Sequence, residues 1–347
     1  MPPFPITPTD SLRAVFDFWQ RGGWIGVDLF FVISGFLISG LLFREYVQHG
    51  GIHVGRFYLR RGLKIYPPFY VFMSVTFLFI AIAKRPFPWE ASICELLFVQ
   101  NYGPALWDHT WSLAVEEHFY LMLPLTLIAI TRISGVAANP FRLVIPLFGI
   151  IALLCLAGRI ITTTTLEYSH KRHVFPTHLR LDSLMCGVVI AYFYNFHQKL
   201  FARITSQYRH VLMVVGVSLL LPWFFFQLEV NPAVHTIGLT IIYIGSGLLL
   251  MACVFPRRET GRTARLLAKI GVYSYSIYLW HLVFARLWMV YSVKIGGVFV
   301  TPAVYAAVYV LGSILFGVLL SKAVEMPALA LRDRLSPSRS QPLLVSK

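Results

Sequence analysis

The sequence is short of charge: only 13% of its 347 residues are Asp, Glu, Lys or Arg, while 57% are hydrophobic and the mean hydropathy is +0.68. Soluble domains carry about 25% charged residues, so this balance excludes a soluble enzyme and a disordered chain alike. Cysteine is scarce as well. Cys94, Cys155, Cys186 and Cys253 show no CxxC or CxxH spacing. That excludes a secreted disulfide scaffold, and neither a disulfide nor a metal site is expected. Three of the four sit in apolar runs, where a thiol behaves as a small hydrophobe. The chain also lacks an internal repeat of the transporter kind. Residues 1–23 lack an uninterrupted apolar core, so they read as neither a span nor a signal peptide. Acidic residues number 15 against 30 Lys and Arg, a net charge of +15. The basic excess is scattered among short segments and not gathered on one domain, which argues against nucleic acid and for loops facing an anionic leaflet and its lipids.

What is abundant is long apolar sequence. A bilayer core about 30 Å thick takes about 20 apolar residues in a helix, and nine such runs lie near 24–43, 66–83, 113–131, 143–161, 177–196, 211–227, 236–255, 272–293 and 303–321. The expected fold is therefore all-α, a polytopic transmembrane helix bundle of about nine spans. With the loop after the first run placed inside, the inside segments hold 20 Lys and Arg and the outside segments hold 8. This bias puts the C-terminus in the cytoplasm. The outside segments are 1–23, 84–112, 159–178, 228–235 and 294–302. Three parts follow: a short N-terminal segment 1–23, a membrane domain 24–325 and a basic cytoplasmic tail 326–347.

Ionisable residues inside apolar runs cost about 2.5–3.5 kcal/mol each to insert, so they face the bundle interior, pair, and mark pathways. Asp28, Glu116, Glu117, Asp182 and Glu325 are of this kind, beside the cations Arg180 and Arg286. Structural pairing, for instance of Arg180 with Asp182, is the alternative reading for any one of them. Asp28 and Ser34 are six residues apart and so on different faces of one helix; if both are functional, that helix must be surrounded by protein. Arg61 and Lys64 share a face with Arg60 beside them, a cluster suited to phosphates or, alternatively, a topogenic stop against lipid headgroups. The stretch Trp111-Ser112-Leu113-Ala114-Val115-Glu116-Glu117-His118 places two carboxylates and a histidine at the outer mouth of a span, a setting for general-base work. In Ser274-Tyr275-Ser276-Ile277-Tyr278-Leu279-Trp280-His281, the histidine is either a hydrogen-bonded core residue or a catalyst.

Taken in order, GVDLFFVISGFLI (26–38), RRGLKIYP (60–67), QNYGPALWDHTWSLAVEEHFY (100–120), RLDSLMCGVVIA (180–191), GVYSYSIYLWH (271–281) and VEMPALALRDRL (324–335) resemble the integral-membrane acyltransferase family three. The resemblance implies a bundle of about ten helices in a plasma membrane, such as a bacterial inner membrane. It also implies an enzyme that moves an acyl group, commonly acetyl, from cytoplasmic acyl-CoA to a hydroxyl of an extracytoplasmic carbohydrate. Acyl-CoA would be a co-substrate, with no permanently bound cofactor, and the acceptor a surface glycan or lipid-linked saccharide. The family usually opens with a first helix bearing an Arg and, eleven residues on, an essential His. Here Thr9-Asp10-Ser11-Leu12-Arg13-Ala14 resembles the start of that helix, but position 24 is Trp, and residues 1–23 read as its remnant. Where the family has Arg, this chain has Lys64.

By that resemblance Arg60, Arg61 and Lys64 hold the CoA phosphates. Glu116 or Glu117 supplies the base, with Asp28 and His281 as further catalytic candidates, and Ser34, Trp111, Arg180, Asp182 and Glu325 line the substrate channel. Two other readings stand beside this one: a catalytically impaired or truncated member of the family, and a transporter of an amphiphilic metabolite.

Overall fold

The computed structural model describes residue 18 and residues 21–135, 139–254, 261–294 and 302–337. The described residues are 83% helical, with no strand among them. The helices, in order, are α1 (Ile25–His49), α2 (Val54–Ile82), α3 (Trp89–Leu96), α4 (Trp111–Ser134), α5 (Val144–Thr165), α6 (Leu181–Phe196), α7 (Gln198–Gln207), α8 (Arg209–Leu220), α9 (Leu239–Cys253), α10 (Arg262–Val272), α11 (Ser274–Lys294), α12 (Pro302–Leu320) and α13 (Met326–Leu335). Each of the nine apolar runs falls on a helix, as expected of a polytopic all-α membrane protein. Six helices among the described residues are long and apolar enough to cross a bilayer, and a seventh span results if α7 and α8, bent by 76°, count as one. The α6 helix is shorter than a straight span: its 16 residues extend about 24 Å, against a hydrocarbon core about 30 Å thick. Most of residues 1–23 lie outside the described residues, and so does the end of the expected tail, of which residues 326–335 form α13.

The described residues fall into two compact units. The first comprises residues 20–54 and 88–256 and contains α1 and α3 to α9. Its centre is the α1–α6 pair, which touches backbone to backbone. A Cβ added at Gly35 would lie 1.9 Å from the Leu184 carbonyl oxygen, and one at Gly187 would lie 2.1 Å from that of Val32. Such close approach by small residues is how helices associate where lipid removes the hydrophobic drive. One end of α1 is closed by aromatic packing of Phe43 against Phe141 and Phe196, with ring centroids 4.8 and 5.5 Å apart.

The second unit comprises residues 55–87 and 257–337, with α2 and α10 to α13. Pro67 and Pro68 lie within α2, and two residues before Pro67 the Ile65 carbonyl accepts from the Tyr275 hydroxyl of α11 at 2.8 Å. Helix α11 packs on α12 through a second glycine contact, with a Cβ at Gly317 falling 2.5 Å from Ile277 Cα. Trp280 meets Phe72 and Phe316 edge-on. Helix α10 is different: it buries no residue and exposes Leu266, Leu267 and Val272 beside its basic side chains.

Candidate active site

Close packing of α1 on α6 places charge in the interior, and the charge is paired. Asp28, fully buried on the first turn of α1, accepts from Arg180 Nη2 at 2.7 Å and from the Ser183 hydroxyl at 2.8 Å. Two residues beyond Arg180, Asp182 accepts from Arg159 Nη2 of α5 at 2.6 Å, and Arg159 also reaches Thr240 Oγ1 of α9 at 2.9 Å. The pairing differs from the Arg180–Asp182 pair that sequence proximity offers. Arg180 precedes the first residue of α6 and Asp182 is that helix's second residue, so successive side chains diverge and each finds a partner on another helix. Arg159 carried the same signal as Arg180, a cation inside an apolar run, and was missed among the outer-loop charges.

Ser34 and Asp28 are both buried, so α1 is enclosed on more than one face. Ser34 Oγ lies 2.5 Å from the Tyr120 hydroxyl, which donates to Glu116 Oε1 at 2.7 Å. A hydrogen-bonded chain thus links α1 to the first of the paired glutamates. Glu117, the next residue, is buried too. His118 contacts Thr177 Oγ1 at 2.7 Å through Nδ1, and Asn101 Nδ2 donates to the same hydroxyl at 2.8 Å.

The start of α4 is fixed from below by Glu95 of α3, a residue with no sequence signal. Its Oε1 accepts from the backbone N–H of Leu106 at 3.1 Å, that of Trp107 at 3.2 Å and the Thr110 hydroxyl at 2.9 Å. Glu95 is fully buried, and its other oxygen has no hydrogen-bond partner among the described residues. Burial outweighs the three donors and raises its carboxyl to about 7.

A cavity of about 220 Å³ lies in this first unit, lined by Trp24, Trp111, His170, Phe175, Arg180 and Glu229 among others. Trp111 and Phe175 stack at 4.9 Å, and the Arg180 guanidinium sits 5.7 Å from the Trp111 ring centroid. His170 Nε2 approaches Glu229 Oε1 at 3.4 Å. Of the expected site residues, Trp111 and Arg180 line this cavity; Asp28 stands behind Arg180. Sequence reasoning missed His170 and Glu229, which sit in polar loop segments where an acid or a histidine is unremarkable.

The remaining expected residues belong to the second unit. Arg60 forms an ion pair with Asp333 at 3.2 Å and donates to the Ser336 carbonyl. Arg61 and Lys64 follow it on α2, half-buried. Glu325, buried in the π-helical turn Ser321–Glu325, accepts from the hydroxyls of Ser276 at 2.6 Å and Ser321 at 2.7 Å. His281 Nδ1 lies against the Tyr278 carbonyl of its own helix.

The family described as an acyltransferase domain matches residues 2–322. The chain is similar to the O-acetyltransferase OatA of Staphylococcus aureus, 29% identical over 285 residues, which cover 76% of this chain and 46% of that protein. It is also similar to a further S. aureus protein, SACOL0978, whose name marks it as a candidate O-acetyltransferase, 28% identical over 301 residues covering 80% of this chain and 48% of that one. The chain thus spans about half the length of the curated relatives it matches. No solved structure matches it. The family match covers nearly the whole chain, and the chain belongs to this acyltransferase family.

Proposed function

We propose that this protein is a membrane O-acetyltransferase that moves an acetyl group from cytoplasmic acetyl-CoA to a hydroxyl of an extracytoplasmic carbohydrate, in a bacterial inner membrane with its C-terminus inside. The observation that carries this reading is the cavity. Trp24, Trp111, His170, Phe175 and Glu229 border or belong to four segments that the loop-charge bias places outside, and they converge on one mainly apolar pocket whose polar groups are Arg180, His170 and Glu229. An acceptor arriving from outside meets an aromatic platform, a guanidinium and a His–Glu pair there.

In the reaction the acceptor hydroxyl oxygen forms a bond to the thioester carbonyl carbon, the carbon–sulfur bond breaks, and CoA leaves as a thiol carrying the proton of the hydroxyl. This chain supplies three things. Arg60, Arg61 and Lys64 hold the CoA phosphates as charged donors. Glu116 takes up the proton through the Tyr120 hydroxyl that already donates to it. Arg180, fixed by Asp28, offers N–H groups that hold the acceptor in the cavity. Asp28 is thereby a positioning residue, since both its oxygens are occupied. Glu325 organises α11 through its two serine hydroxyls.

The test is release of CoA thiol by the purified chain in detergent, supplied with acetyl-CoA and a mixed bacterial oligosaccharide fraction. Release that depends on the oligosaccharide and falls sharply in Glu116→Gln supports the reading. Full activity in both Glu116→Gln and Glu117→Gln overturns the role of the pair, and flux of solute into vesicles without acetyl-CoA points to a transporter.

A further inference from the structure

The cavity carries more information than its location. Its walls hold N–H donors that nothing satisfies: Arg180 Nε and Nη1 and Trp24 Nε1 are buried, with no hydrogen-bond partner among the described residues. Arg180 is 1% exposed. Of its five N–H groups, one binds Asp28, and the π faces of Phe31 and Trp111 cover part of the rest. Buried donors are almost always paired, and an unpaired guanidinium edge is among the most costly exceptions. Three orphaned donor atoms on two side chains, both lining one cavity, describe a ligand that accepts and does not donate.

The carboxylate beside Arg180 is already engaged: Asp28 is bound by Arg180 and Ser183, while Glu229, on an exposed part of the lining, lies 3.4 Å from His170 Nε2. His170 lines the cavity and is followed in sequence by the exposed Lys171 and Arg172, with Glu167 the nearest acid in sequence. A sugar hydroxyl matches the orphaned donors poorly, because its own proton needs an acceptor that Arg180 and Trp24 do not provide. An oxyanion offers two or more acceptor atoms, and the planar guanidinium fork suits it.

Building on the acceptor-side reading above, we propose that the cavity binds an anionic oxygen group of the acceptor, a sugar carboxylate or a sugar phosphate ester, through Arg180 and Trp24. The protein would then select acidic glycans. The anion anchors the acceptor beside the Trp111–Phe175 stack and leaves its hydroxyls for acylation.

The experiment is calorimetric titration of the purified full chain in detergent with glucose, glucuronate and glucose 6-phosphate. At least one of the two anions is expected to bind about tenfold or more tightly than glucose, the scale of a charge-assisted hydrogen bond. The two anionic arms identify which group the site takes. Arg180→Gln should bring all three ligands within about twofold of one another. Because that change leaves Asp28 uncompensated, the double variant Asp28→Asn/Arg180→Gln, which removes both charges together, is titrated alongside. Trp24→Phe should weaken the anion and leave glucose unchanged. Equal binding of glucose and both anions, no binding of any, or a preference that survives in the double variant overturns the inference. The transfer reading is judged separately with acetyl-CoA. A chain that prefers anions yet transfers nothing sinks only the transfer reading, and one that acetylates neutral and acidic acceptors equally well sinks only this one.

Discussion

Glu95→Gln isolates the cost of burying one carboxylate beneath the candidate active site. In the folded chain burial raises the Glu95 carboxyl from 4.5 to about 7, whereas in the unfolded chain it titrates at its ordinary value. Between those two values the folded state holds a proton that the unfolded state has lost, so stability falls as pH rises and levels off above about 7. A difference of about 2.5 units at about 1.36 kcal/mol each gives about 3 kcal/mol over the window. Gln keeps the oxygen that accepts from Leu106, Trp107 and Thr110 and cannot ionise. The assay is thermal melting in detergent at a series of pH values from 5 to 8. Wild type and variant should melt together at pH 5. At pH 8 the variant should be the more stable, by about 6 °C if about 2 °C accompanies each kcal/mol. Parallel pH profiles for the two proteins would refute the reasoning, because they would show Glu95 ionised throughout or charge-insensitive.

Gly187→Ala drives a methyl into the Val32 carbonyl at the tightest helix contact. It should cost more than about 4 kcal/mol by the same melting assay, while Gly26→Ala, with nothing within 4 Å of the added atom, should be near neutral. Arg159→Met leaves Asp182 buried and unpaired and should cost about 3–5 kcal/mol, and the double change Arg159→Met/Asp182→Leu should recover most of it. Glu116→Gln should lower kcat by about 10²–10⁴-fold with little change in the KM for acetyl-CoA, measured by thiol release. Asp333→Asn removes the charge opposite Arg60, leaving its bond to the Ser336 carbonyl; the exposed pair is worth at most about 1 kcal/mol, so the KM for acetyl-CoA should fall by no more than about fivefold.

The helices were legible because bilayer spans are written as long apolar runs, and each of the nine runs is helical. Where each helix starts and stops was less so: the run 177–196 holds a short 3₁₀ turn and the 16-residue α6, and the run 211–227 begins inside α8, whose bend against α7 leaves no mark in hydropathy. Asp28, Arg180 and Asp182 announced themselves as charges in apolar sequence, yet their partners did not. Pairing is decided by which helices meet, and the glycines that set the α1–α6 contact say nothing about the direction of a guanidinium. Glu95, His170 and Glu229 were invisible for a different reason. They lie in loops and a short helix where charge is ordinary, and only the fold gives them burial or a shared cavity. The division into two units, with Arg60, His281 and Glu325 in one and Asp28, Glu116 and Arg180 in the other, also has no linear signature, since the second unit is assembled from segments almost 170 residues apart.

The central claim is best tested in proteoliposomes loaded with radiolabelled acetyl-CoA and given an acidic oligosaccharide outside. The account predicts label on the external saccharide, esterified to hydroxyl oxygen, and its loss in Glu116→Gln. Label that stays inside as acetyl-CoA or free acetate, with none on the external saccharide, would contradict it.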